Sequence, residues 1–100
     1  MADGLPGAWS DPREPDGVQE ICDQVKALVE QKTNKIYVEV RAVEFRIQIV
    51  AGTNFLIKVD VGGENYIHLL VFKALPCNGG GIELLKVLED KTKEEPLVPF

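Results

Sequence analysis

An α+β domain, with one helix lying across an antiparallel sheet, is the fold class that this 100-residue sequence predicts. Two features carry the expectation. A single apolar stripe on a 3.6-residue period runs through residues 16–33, and no second stripe of equal strength follows, so its partner must be a sheet. From Ile36 onward the period is two, and the alternating runs are joined by short glycine-bearing turns, which makes the sheet antiparallel. The length is that of one domain with one core.

Residues 1–15 carry Gly4, Pro6, Gly7, Pro12 and Pro15 with little apolar periodicity, and they read as a mobile N-terminal arm. Trp9 in that arm either folds back onto the domain or touches a partner. Residues 16–33 form the helix, with Asp16 as N-cap and Gln19 completing a capping box. Val18, Ile21, Cys22, Val25, Leu28 and Val29 form its buried stripe. Residues 36–100 hold the sheet and a C-terminal tail. Val43, Phe45, Ile47 and Ile49 alternate in one phase, while Val38 and Val40 stand in the other, which predicts a bulge near Arg41 and a curved sheet. Phe55 to Val61 is the second strand, Gly62 to Asn65 a turn and Tyr66 to Phe72 the third strand. After a flexible Asn78–Gly81 loop, Ile82 to Leu88 is a fourth strand, with a short helix over Glu83 to Asp90 as the alternative. Glu89 to Glu95 reads as solvated, and the apolar tail to Phe100 needs a surface.

Composition removes several functions. Eleven basic against sixteen acidic side chains leave a formal charge of −5, which argues against nucleic acid. No apolar run approaches the ~18–20 residues that span a bilayer, so no membrane partner is expected. Met1 to Trp9 lacks the basic start and apolar segment of a secretory signal, and Cys22 and Cys77 read as free thiols of a cytoplasmic protein. With a single His68 and no Cys-x-x-Cys pair, no metal site is expected, nor any cofactor. A Cys–His nucleophile has thin support because Cys22 lies on the buried stripe, so the chain is not expected to be an enzyme and has no catalytic residues.

Turn chemistry is what stands out. Hairpin tips usually carry polar residues, yet Gln48-Ile49-Val50-Ala51-Gly52-Thr53-Asn54 approaches its glycine through apolar side chains. Hairpin alternation puts Gly52 and Pro76 at the same end of the sheet, and the Gly4-Leu5-Pro6-Gly7 arm can reach it. Three weakly polar points along one edge make a wedge.

Those residues resemble the type 1 cystatins, the stefins, which inhibit papain-like cysteine proteases. The resemblance is carried by Gln48-Ile49-Val50-Ala51-Gly52-Thr53-Asn54-Phe55, by Phe55-Leu56-Ile57-Lys58-Val59, by His68 through Pro76 and by the ending in Phe100, and it covers nearly the whole chain. It implies a cystatin-like curved sheet of four to five strands around the helix, and a reversible, tight-binding inhibitor of cathepsin-type proteases. The protease-binding residues it implies are Gly4 and Leu5 in the arm, then Gln48, Ile49, Val50, Ala51 and Gly52, then Leu75 and Pro76. Gly4 is taken over Gly7 because Leu5 follows it, and the glycine-rich loop after Pro76 is expected to make looser contact than in relatives. Gly52→Trp is expected to weaken inhibition by more than about tenfold with folding intact. A monomer is expected. The alternatives are a non-inhibitory interaction protein of the same fold and a dimer that exchanges domains through the hairpin.

Overall fold

The helical stripe and the alternating runs pack against each other in the computed structural model, which describes residues 8–100. Helix α1 (Gln19–Thr33) covers one face of a four-stranded antiparallel sheet in the order β1-β2-β3-β4. The strands are β1 (Arg41–Val50), β2 (Gly52–Asp60), β3 (Tyr66–Lys73) and β4 (Ile82–Lys91). Between helix and sheet, Val18, Ile21, Cys22, Val25 and Val29 meet Ala42, Phe45, Ile57, Val59, Ile67, Leu69 and Val71 in one core. Each fully buried aliphatic there contributes about 1.5–3 kcal/mol, which is what holds a helix of only fifteen residues. Phe45 and Phe55 add a tilted ring pair with centroids 6.4 Å apart. Leu28 was expected in the stripe but lies at its margin and is exposed.

The helix starts differently from the expected capping box. Its N-cap is Val18, with no side-chain cap, because a turn over Asp16 to Val18, with Gly17 at φ 80°, separates Asp16 from the first helical residue. Gln19 instead turns its amide toward the sheet. Its Nε2 donates to Val40 O at 2.9 Å and its Oε1 accepts from Ala42 N at 2.8 Å, so helix start and strand entry are joined by one side chain. At the other end Asn34 takes the left-handed conformation at φ 59°, and its N–H bonds to Glu30 O.

Residues 36–40 are not strand, contrary to the reading that began the sheet at Ile36. The Glu30 carboxylate accepts the Tyr37 N–H at 2.9 Å and Thr33 accepts the Tyr37 hydroxyl proton at 3.2 Å, which turns Tyr37 inward. Ile36 and Val38 therefore point out and are 88% and 98% exposed. The bulge sits at Val43, where register shifts between Ala42 and Glu44, two residues beyond the expected place. β4 is a strand and not the alternative helix. Its register slips opposite Leu70/Val71 and Tyr66/His68, and Asp90 has φ 57°.

The arm and the tail also take definite places. Ser10 N donates to Ile47 O at 2.8 Å, and Arg13 and Phe45 exchange two backbone bonds of 2.8 and 3.0 Å. The described part of the arm thus lies along the free edge of β1, where the expectation was a mobile segment through residue 15. An edge strand leaves a row of amide groups unpaired, and this pairing satisfies part of that row. On the face opposite α1, Arg46 Nη1 donates to Leu97 O at 2.8 Å and Lys58 Nζ to Lys93 O at 2.9 Å. Leu97 is buried there, as are Leu56, Lys58 and His68. His68 is enclosed on this face, with 1% of its surface exposed. The Glu89 to Glu95 stretch, expected to be solvated, makes ion pairs from Glu89 to Lys35 and from Lys91 to Glu95.

Candidate binding edge

Strand pairing brings the β1–β2 turn and the end of β3 together. Val50 pairs with Gly52, leaving Ala51 alone at the reversal, and Thr53 pairs with Lys73 of β3. The chain then runs through Ala74 into Leu75 and Pro76, so the tip Ile49-Val50-Ala51 and Leu75-Pro76 project at one end of the sheet. Ile49, Val50 and Leu75 are 58%, 38% and 40% exposed, and Ala51 and Pro76 are open to solvent. No charged residue occurs from Ile47 to Ile57 or from Ala74 to Ile82. Such an edge can enter a cleft without stripping water from an ion.

The polar residues of the tip hold its base. Gln48 and Asn54 face each other across the strand pair, and Asn54 Nδ2 donates to Gln48 Oε1 at 2.7 Å. Gly52 is buried at φ 125°, and a Cβ built on it would stand 2.6 Å from Lys73 O and 2.7 Å from the Phe72 ring. Glycine is required here on two counts, backbone conformation and space. Gly52→Trp was expected to leave folding intact, and the structure adds that any side chain there must displace the backbone of β3, so a loss of stability is expected with it. Phe72 was read only as a residue of the third strand, and its place as a wall beside Gly52 was not foreseen.

The second loop, expected to be flexible, is closed by backbone hydrogen bonds. Ala74 N donates to Gly81 O at 2.8 Å, and a 3₁₀ turn at Pro76–Asn78 is fastened by Asn78 N and Gly80 N, both bonded to Leu75 O. The left-handed glycines Gly79 and Gly80 allow this closure. Gly4, Leu5 and Gly7 lie outside the described residues. Trp9, the nearest part of the arm, stands opposite Gln48 in an isolated bridge.

Cys22 and His68 stand on opposite faces of the sheet. Cys22 is fully buried on the helix side of the sheet, and burial pushes its thiol up to about 12. His68 is enclosed on the opposite face. Burial first, then Lys91 and Lys58, holds its imidazole down to about 4, while Glu95 opposes them. Among the described residues no cluster of three metal-ligating side chains occurs, and no helix is long and apolar enough to cross a membrane.

A helix across an antiparallel meander, with an apolar glycine-backed tip beside a Leu-Pro loop, defines the class of cystatin-fold proteins. Residues 7–94 match the Cystatin domain family. The chain is 45% identical over 98 residues to leukocyte cysteine proteinase inhibitor 1 of Sus scrofa, covering 96% of this chain and 94% of that protein. It is 43% identical to cystatin-A of Homo sapiens, covering 96% and 99%, and 42% identical to cystatin-B of Oplegnathus fasciatus, covering 94% and 95%. The chain belongs to the cystatin family, as a type 1 member or stefin.

Proposed function

We propose that this chain is a reversible, tight-binding inhibitor of papain-like cysteine proteases of the cathepsin type, acting by occlusion. The observation that carries the reading is the charge-free apolar tip Ile49-Val50-Ala51 standing beside Leu75-Pro76 at one end of the sheet. In this reading the tip and Leu75-Pro76 fill one side of the cleft, and the arm around Gly4 and Leu5 fills the other. The family match begins at residue 7, which keeps Gly7 in contention as the arm glycine. No peptide bond is offered to the protease thiol in attack geometry, so the inhibitor is held and not cut. The Gln48–Asn54 bond and the hydrogen-bonded second loop preorganise both hairpin elements, which limits the ordering cost of docking.

The working form in this reading is a cytoplasmic monomer. Two unbridged cysteines favour a reducing compartment. Domain exchange would straighten the Val50–Gly52 reversal and so erase the tip.

Titration of papain with the monomeric fraction from size exclusion, assayed on a fluorogenic peptide, tests the reading. A stoichiometric end point is expected, with the serine protease trypsin unaffected. Val50→Asp should weaken inhibition at least about tenfold without moving the melting temperature, since a buried, unpaired carboxylate is costly at an interface and free in solvent. Full papain activity at excess folded monomer would overturn it.

A further inference from the structure

We infer that Arg46 is a positioning residue for the inhibitory arm, and that through it the C-terminal tail sets where the arm leaves the domain. The inference rests on the inhibitor reading for its functional meaning and on geometry for its mechanism. Arg46 lies on β1 opposite Leu56, on the face away from α1. Its Nε donates to Ser10 O at 2.8 Å and its Nη1 donates to Leu97 O at 2.8 Å. One planar guanidinium thus holds the two chain ends at once, and its fixed fork ties the position of one carbonyl to that of the other. Both bonds are charge-assisted and partly buried, the setting in which they are strongest.

Ser10 is the point at which this clamp matters. Its N–H donates to Ile47 O and its hydroxyl accepts from Ile47 N at 3.0 Å, so residue 10 is fixed by three bonds to two adjacent residues of β1. Trp9 follows opposite Gln48, the residue at the base of the apolar tip. Everything N-terminal to Trp9 starts from that anchor. On the tail side, Leu97 is 2% exposed and Lys58 holds Lys93 O, so the carbonyl that Arg46 grips is itself immobilised. Sheet, tail and arm form one chain of fixed contacts ending beside the tip.

Trp9 is the only tryptophan of the sequence, so its fluorescence reports arm docking with no protease present. The test compares the full chain, Arg46→Met, Arg46→Lys and a chain ending at Pro96, each with and without residues 1–7. Arg46→Met and the shortened tail should red-shift Trp9 emission and raise its quenching by acrylamide. Dissociation from papain should then quicken about tenfold in the chain that has its arm, and less than about twofold in the chain lacking residues 1–7. Arg46→Lys, a single point donor, should fall between. Equal acceleration with and without the arm would reduce Arg46 to a general structural role and overturn the inference, as would unchanged Trp9 fluorescence in both Arg46→Met and the shortened tail. If Trp9 responds but no form binds papain, the coupling stands and the inhibitor reading is what fails.

Discussion

At Gly52 conformation and space combine, and the consequences for mutagenesis differ from those of an ordinary turn glycine. With φ at 125° and a carbonyl 2.6 Å from the site of a Cβ, even alanine must push β2 from β3 where the second loop begins. Gly52→Ala is expected to cost about 2 kcal/mol or more and to weaken papain inhibition by more than about tenfold, read by urea unfolding and active-site titration. Unchanged stability would mean that the Lys73–Phe72 wall yields freely. His68 is the second residue with a sharp consequence. Its Nε2 is buried without a hydrogen-bond partner among the described residues, and the imidazole stays neutral down to about pH 4, against 6.5 when unconstrained. The unfolded chain therefore takes up a proton that the folded chain refuses, and stability falls as pH drops from 6.5 through 4. The loss is about 2 kcal/mol by pH 5 and about 3 kcal/mol below pH 4. Comparing urea unfolding of the protein and His68→Leu at pH 7 and pH 5 checks this. The wild type should lose ground to the variant by that amount, and a pH-independent difference would rule the mechanism out.

At the scale of elements, what was legible followed local period. Helix and strands have repeats of 3.6 and two residues, and burial of one face follows from the repeat alone, so α1, β2 and β3 emerge close to their bounds. The bulge was visible as a change of phase but displaced by two residues, because a phase slip fixes that an extra residue exists and not which one it is. Segments whose partners are remote did not announce themselves. Arg46 reaches Ser10 and Leu97, thirty-six and fifty-one positions away, and no window of sequence contains that relation. Gln19 carried a true signal of helix start that was assigned the wrong mechanism. Its amide serves the strand entry at Val40 and Ala42 instead of the helix's own amides. The tip Ile49 to Ala51 was legible because apolar residues are out of place at a hairpin end, whereas the closure of the second loop depends on left-handed glycines whose order only the folded chain reveals.

Over the whole molecule, the two exposed margins of the sheet are handled unequally. β4 is broken by two register shifts and a left-handed Asp90, features that make it a poor template for another strand. β1 is ten residues long, with a single bulge near its start, and its outer side is covered by residues 9–13 of the same chain. Cover of this kind is expected to hinder pairing of β1 with a second chain. Arg13 is the only basic residue among the first fifteen and is exposed, so one tryptic-type cut after it would release the segment that pairs with Ser10's partner Ile47 and with Phe45. A chain beginning at Glu14 should gain light scattering and thioflavin fluorescence on standing at concentrations where the chain beginning at Ala8 stays clear, and equal clarity in both would show that the uncovered margin is harmless. Proteolysis at that one bond would leave a fragment with most of its core and with the backbone bonds that Ser10 and Arg13 make to β1 given up, so a single cut far from the inhibitory tip would change how the molecule meets its own copies.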